Sequence, residues 1–491
     1  MKLSTLIQPL LDSKITGQVD RNITDICQDS RRVQEGSLFA ALPGSKTDGH
    51  LFIKDVVQKK AAAVLYQRGC FEDTAWMNTH TSSTTFIETA DARKALGIIA
   101  HKAFDCPSEK ITLIGITGTN GKTTTATLLY TLFNQMGLKS GLLSTIANYV
   151  GEEMEQTALT TPNVLTINRL LSKMVQSGCS YCFMEVSSHA IDQQRTAGLH
   201  FTGGIFTNLT HDHLDYHNTF DKYRDTKKAF FDTLPSDAFA LTNADDRNGK
   251  IVVQNTRARV YTYACKQWAD FTARVMERTV EGMQLVIHGT ELWSPLIGMH
   301  NVYNLLSVYA CARLLDMPAD ETLRRLSSLQ TVSGRMEYVR GGNHLTAVVD
   351  YAHTPDALKN ALTALRELLL PGQQLICVVG CGGDRDRTKR PVMAQIADAH
   401  ADVCVFTSDN PRFEDPETIL DHMMDGLSAE SRERCLRITD RYQAIKTAVR
   451  TAPKGAVILV AGKGHETYQD IQGVKKHFDD KEILTQLLNT G

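Results

Sequence analysis

A chain of 491 residues is too long for one hydrophobic core, and at roughly 150 residues per domain it divides into about three. Its 53 lysines and arginines nearly balance 55 aspartates and glutamates, for a formal charge of -2, which excludes the basic footprint of a nucleic-acid or anionic-membrane binder. Met1 to Ser13 lacks the pattern of a secretory signal, no apolar run nears the ~18 residues of a membrane span, and the 11 scattered cysteines read as reduced thiols, so a cytoplasmic protein is expected.

From Met1 to Pro107, short strand-like runs (Ser37 to Leu42, Ala62 to Tyr66, Thr85 to Ile87) alternate with helical stretches such as Ile53 to Lys60. The polar loops Asp29-Ser-Arg-Arg32 and Gly44-Ser-Lys-Thr-Asp-Gly49 punctuate them, and residues 1–107 are expected to form a small α/β module. Over residues 108–334, apolar strands (Ile111 to Ile116, Ser140 to Leu143, Tyr181 to Val186, Gly203 to Phe206, Ala238 to Thr242) alternate with amphipathic helices, the pattern of a mainly parallel sheet. Cys179-Ser-Tyr-Cys182 has redox spacing but leads into a strand, and reads as two buried thiols.

Residues 335–491 repeat the alternation with Leu345 to Val349, Leu375 to Val379, Val403 to Phe406 and Ala456 to Val460. In both halves polar clusters follow the strands, where open parallel sheets bind ligands. The fold class is therefore α/β in three domains, with a P-loop sheet in the second, a Rossmann-like sheet in the third and a cleft for chemistry between them.

The first such cluster is the most informative. Gly115-Ile-Thr-Gly-Thr-Asn-Gly-Lys-Thr-Thr124 lies between an apolar strand and a helix expected over Thr123 to Met136, where free N–H groups and the helix dipole attract phosphate. The usual loop would place its first glycine at position 116, which is Ile, so this is a variant opened by Gly118. Lys122 is suited to the β- and γ-phosphates of a nucleoside triphosphate, and the Thr123 hydroxyl to Mg²⁺.

Glu185 and His213 each follow or end a strand next in order to the phosphate loop and are candidates to approach the same metal, with oxygen ligands favouring Mg²⁺ over zinc despite the nearby His211 and His217. Lys227 and Lys228, by composition alone, read as a solvated helix face. Arg385 and Arg412 are guanidinium forks suited to a carboxylate, and with Glu466 they suggest a pocket for a zwitterionic amino acid. The glycines of Gly462-Lys-Gly-His-Glu466 favour close backbone approach to that ligand.

Five ordered motifs carry a resemblance: Thr117-Gly-Thr-Asn-Gly-Lys-Thr-Thr124, Glu185-Val-Ser-Ser-His189, Thr207-Asn-Leu with Asp212-His-Leu-Asp215, Gly298-Met-His-Asn301 with Asn304, and Asp350-Tyr-Ala-His353. Over essentially its whole length the chain resembles the Mur ligases of bacterial cell-wall synthesis. Asp29-Ser-Arg31, Gly44 to Gly49, Thr160-Thr161, Gly382-Gly-Asp-Arg385 and Asp409-Asn-Pro-Arg412 resemble the members that join meso-2,6-diaminopimelate to UDP-N-acetylmuramoyl-L-alanyl-D-glutamate using ATP.

The resemblance implies roles. Gly118, Thr119, Asn120, Gly121, Lys122, Thr123 and Thr124 would bind ATP phosphates, with His300, Asn301 and Asn304 near the adenine. Ser30, Ser45, Lys46 and Thr47 would hold the uridine end, and Thr160, Thr161, Ser187, Gln193 and Arg195 the muramoyl-peptide end. Arg385, Asp409, Asn410, Pro411, Arg412, Gly462 and Glu466 would form the amino-acid site. Lys227 aligns with a lysine carried as a carbamate, a Mg²⁺ ligand beside Glu185, His213 and Thr123.

A carboxylate resists amide formation because its oxygen is a poor leaving group; phosphorylation by ATP makes an acyl phosphate that an amine can attack. Lys122 is expected to neutralise charge in the first step, and Asp350 and His353 to orient the intermediate or assist proton removal. A monomer without nucleic-acid or membrane partners is expected. The rivals are folylpolyglutamate synthase, which lacks the N-terminal module, and a nucleotide-hydrolysing switch, for which an amino-acid pocket has no use.

Overall fold

The computed structural model describes the chain except residues 45–46, 158, 280–281, 341–344 and 490–491. Three large sheets follow one another along the chain. The first has five strands in the order Ser13–Thr16, Thr85–Thr89, Ala63–Gln67, Leu38–Ala40 and Ile26–Cys27, all parallel except the pairing of Ser13–Thr16 with Thr85–Thr89. The helix Ala92–Ala103 covers one face with Leu96, Ile99 and Ala100, and packs outward against the helix Val164–Gln176.

The second sheet has eleven strands. At its centre Thr112–Thr117 lies between Tyr181–Glu185 and Gly203–Phe206, parallel to both, so the chain leaves it in opposite directions. That reversal opens a crevice at its carboxyl end, which is where the glycine-rich loop sits. The apolar runs form these strands because both faces are covered: Ile114 and Ile116 pack under the helices Lys122–Gln135 and Met299–Leu314, while Leu113 packs with Phe201 and Phe230 on the other side. Two antiparallel extensions broaden the sheet, Asn148–Val150 with Glu153–Glu155 on one edge and Phe271–Thr279, Gly282–Ile287 and Thr290–Ser294 on the other.

The third sheet has six strands, with Val457–Ala461 between Thr346–Asp350 and Leu375–Val379, and Val403–Phe406 beyond. Only Glu337–Arg340 runs antiparallel. A separate hairpin, Tyr468–Ile471 with Val474–His477, meets the loop at Arg412 through a single bridge to Ile471.

The α/β expectation holds in all three sheets. All eleven cysteines are free, and Cys179 and Cys182 are buried. Among the described residues no helix is long and apolar enough to cross a membrane.

Candidate active site

The loop between Thr117 and Lys122 is shaped by its neighbours. At Gly118, with φ +150°, an added Cβ would stand 1.9 Å from Thr207 Oγ1, so only glycine fits. The loop backbone is strapped to the next strand's exit: Thr119 N donates to Asn208 O at 2.8 Å, Asn120 N to Asn208 Oδ1 at 2.9 Å, and Thr207 Oγ1 to Asn120 O at 2.6 Å. Lys122 folds back over the loop, donating to the carbonyls of Gly118 at 3.0 Å and Thr119 at 2.8 Å; burial lowers its pKa. Thr123 Oγ1 donates to the fully buried Glu185 at 3.0 Å, and Thr145 N donates to the other Glu185 oxygen at 2.7 Å.

Two cavities open from this loop. The first, about 430 Å³, is lined by Asn120, Gly121, Thr124, His300, Asn301 and Asn304, together with Asp350 and Asp356 of the third-sheet unit. The helix Met299–Leu314 brings its first turn here, with Asn304 Nδ2 donating to Asn301 Oδ1 at 3.0 Å. Asn120 Nδ2 crosses the gap to donate to Asp356 Oδ2 at 2.9 Å. Burial pushes His300 down to about 4, so it is neutral near pH 7.

The second cavity, about 400 Å³, brings Thr119, Lys122, Thr123, Glu185, His213 and Lys227 together with Thr160, Thr161, Ser187 and Arg195 on one side and Arg385, Asp409, Asn410, Arg412, Gly462 and Glu466 on the other. Arg195 Nη1 donates to Thr161 O at 2.7 Å and its Nη2 to Gln193 Oε1 at 2.7 Å, so Gln193 supports the wall from behind. Gly118 lines neither cavity, and Pro411 is buried behind the loop. Ser30, in the turn Ser30–Arg32, and the exposed Thr47 also stand outside both linings, while Ser45 and Lys46 lie outside the described residues.

Several readings change in three dimensions. Lys227 is not on a solvated face: the helix Phe220–Asp232 turns it inward, 1% exposed, where Nζ donates to Gly118 O at 2.7 Å and lies 4.8 Å from the Tyr223 ring centre. Burial, aided by Lys122, holds its pKa well below that of an ordinary lysine. His217 is buried as well. Asp350 faces the first cavity rather than the second, accepting the Met336 N–H at 2.7 Å. His353 contacts Tyr351 O through Nδ1 at 2.8 Å, which assigns the proton to Nδ1 and leaves Nε2 as acceptor; burial drops it to about 4. Glu466 is not a free anion: Asn410 Nδ2 donates to it at 2.7 Å and the buried Lys463 lies 3.4 Å away. Asp409 lies 3.8 Å from the same lysine, so two carboxylates share one ammonium there, and burial raises the pKa of Glu466.

The geometry also adds residues that spacing did not reveal. Arg335 lines both cavities, donates to Thr123 Oγ1 at 3.1 Å, stacks 4.6 Å from the Tyr351 ring centre and leaves its buried Nε without a partner among the described residues. Its only signal in the sequence is a position beside the expected boundary at Gly334. Lys389 lines the second cavity, and Arg390 behind it joins Glu414 at 2.9 Å.

The donor set suits a hard cation in part: the Glu185 carboxylate and Thr123 hydroxyl already converge, and desolvation lowers the pKa of His213, favouring the neutral ring that can ligate. Lys227 as an ammonium does not fit; as a carbamate it would.

A glycine-rich loop at a helix N-terminus, set across a cavity from the arginine-bearing wall of a second, mainly parallel sheet, is the arrangement of a nucleotide-driven ligase. The chain belongs to the Mur ligase family: the family's catalytic domain matches residues 22–103, its middle domain 116–312 and its glutamate ligase domain 334–464. It is 49% identical to the UDP-N-acetylmuramoyl-L-alanyl-D-glutamate--2,6-diaminopimelate ligase of Cytophaga hutchinsonii, over 100% of this chain and 99% of the relative. To the ligase of the same name from Clostridioides difficile it is 39% identical, over 100% of both. A solved structure of a ligase of that name superposes with TM-score 0.69 at 29% identity, covering 99% of this chain and 98% of the other. Folylpolyglutamate synthase of Mycobacterium tuberculosis shares the fold alone, at 16% identity and TM-score 0.60, over 75% of this chain and 92% of its own.

Proposed function

We propose that this chain is the ATP-dependent ligase that adds meso-2,6-diaminopimelate to UDP-N-acetylmuramoyl-L-alanyl-D-glutamate in the cytoplasmic assembly of peptidoglycan precursors. The observation that carries the reading is the second cavity, where Lys122 and Arg335 on the nucleotide side face Arg385 and Arg412 on the other. Relatives of nearly equal length bear this activity in their names. Residues 1–107 would bind the uridine nucleotide, 108–334 ATP and 335–491 the amino acid.

ATP's adenine would lie in the first cavity against His300, Asn301 and Asn304, its phosphates along Gly118 to Thr124. Thr123, Glu185, His213 and a carbamoylated Lys227 would hold Mg²⁺, which neutralises phosphate charge when bound. The depressed pKa of Lys227 favours the free amine, which adds to CO₂ with loss of one proton. Lys122 and Arg335 orient the γ-phosphoryl toward the D-glutamyl side-chain carboxylate, held near Thr160, Thr161, Ser187 and Arg195. The His353 Nε2 lone pair accepts a hydrogen bond from the incoming amine and orients it. Arg412, with Arg385 beside it, takes the far carboxylate of diaminopimelate, and Asp409 with Glu466 the ammonium there.

The test is mass spectrometry of the product formed from ATP, the muramoyl dipeptide and a mixture of amino acids. The tripeptide with diaminopimelate is expected, and oxygen-18 in the acceptor carboxyl should appear in released phosphate. Unlabelled phosphate, or phosphate release that needs neither substrate, rejects the reading.

A further inference from the structure

Lys389 opens the helix Lys389–His400 and is half-buried in the wall of the second cavity. Its neighbour Arg390 is locked against Glu414, but Lys389 forms no ion pair among the described residues; its ammonium donates to the neutral carbonyl of His353 at 3.0 Å. Across the same cavity stands Asp212, on the loop that follows the strand Gly203–Phe206. Lys389 therefore belongs to the third-sheet unit while facing the place where the nucleotide's γ-phosphoryl and the acceptor must meet. A cation steadied by one carbonyl, in a polar cavity, is a site for an anion supplied by the ligand.

Resting on the reading above, we propose that Lys389 is a catalytic residue that grips the phosphoryl oxygens of the acyl phosphate and stabilises the charge gathering on them as the amide forms. In that step the amine lone pair makes the C–N bond, the C–O bond to phosphate breaks with its electrons on the departing oxygen, and one amine proton passes to solvent. Lys122 and Arg335 serve the earlier transfer from ATP; Lys389 approaches from the opposite wall and serves the departure of phosphate.

Three variants separate charge from tether. Lys389→Gln keeps a donor for the His353 carbonyl and loses the charge, Lys389→Met loses both, and Lys389→Arg keeps both. Loss of one preorganised donor to a developing oxyanion lowers turnover about 10²- to 10³-fold. That fall is expected for Gln and Met, with the KM for ATP within about two-fold, and Arg should recover most of it. Rapid-quench assays should show the first equivalent of ADP forming on the wild-type timescale in Lys389→Gln while tripeptide lags. Full turnover in Lys389→Gln, or ADP and tripeptide slowed together, overturns the inference; should Lys389→Met not fold, Gln and Arg decide. A wild-type protein that makes no tripeptide defeats the functional reading instead, so the two failures are distinct.

Discussion

Replacing Arg390 with methionine will loosen the wall of the cleft that carries Arg385 and Arg412 and spare the glycine-rich loop opposite. The guanidinium is fully buried; it reaches Glu414 Oε1 at 2.9 Å and Oε2 at 3.1 Å, and the Gly382 carbonyl at 3.3 Å. Glu414 also accepts the Asp384 N–H at 2.6 Å, so one ion pair ties the loop carrying Arg385 to the loop carrying Arg412. Methionine fills the stem's volume but strands a carboxylate that is 11% exposed. Breaking a buried pair from one side costs about 3–5 kcal/mol, and because the exposed Arg387 remains 3.3 Å from Glu414 the lower end applies. At about 1.4 kcal/mol per decade, 3 kcal/mol is about a 10²-fold rise in opening. Hydrogen exchange read by mass spectrometry over Leu375–Val379 should quicken by about that factor, the KM for diaminopimelate should rise, and the KM for ATP should hold. Adding Glu414→Gln should recover more than half of the loss, since no charge is then stranded. Exchange unchanged within about three-fold, or a larger effect on ATP than on diaminopimelate, would refute the reasoning.

Gly118→Ala should abolish ATP binding in calorimetry, because its Cβ would meet Thr207 Oγ1; normal binding would mean the loop is not strapped as described. Arg335→Lys keeps the charge but loses the guanidinium over the Tyr351 ring and its N–H to Thr123, and should cut kcat at least about ten-fold with the KM for diaminopimelate unchanged. Arg412→Met should lower the preference for diaminopimelate over L-lysine about 10²-fold in kcat/KM, whereas comparable wild-type turnover of L-lysine at equal concentration would contradict the two-carboxylate reading. Hydrogen bonds from Arg390 hold Glu414 at about 2, against 4.5 when free, so its stabilisation is complete above 4.5 and fades as pH falls toward 2. Acid titration followed by circular dichroism should show the Arg390→Met protein losing less stability than the wild type across that window.

Strands buried on both faces were the most legible elements. The expected runs Ser140 to Leu143, Gly203 to Phe206, Leu375 to Val379 and Val403 to Phe406 form strands with those bounds, because each is a short apolar stretch closed by polar residues. The broad antiparallel extension from Phe271 to Ser294 escaped notice: its strands leave one face exposed and mix charged with apolar residues. So did the hairpin Tyr468–Ile471 with Val474–His477, whose short strands are mostly polar and leave Ile471 and Val474 exposed. At the site, motif spacing located the phosphate loop and the polar strand exits. It did not reveal that Lys227 points inward, since adjacent lysines carry no record of which one the helix turns toward the sheet. Nor did it show that Lys463 pairs with Glu466, a contact made only when the loop doubles back on itself.

The bond from Asn120 to Asp356 stitches the phosphate loop to the helix Pro355–Arg366 across the mouth of the first cavity. A nucleotide bound there as proposed would share or displace that stitch, so its binding free energy and the angle between the two units would be linked, with equal strength in either direction. An inhibitor of this chain therefore need not imitate any substrate. A rigid wedge seated in the seam would change the grip on nucleotide by the same factor that nucleotide changes the grip on the wedge.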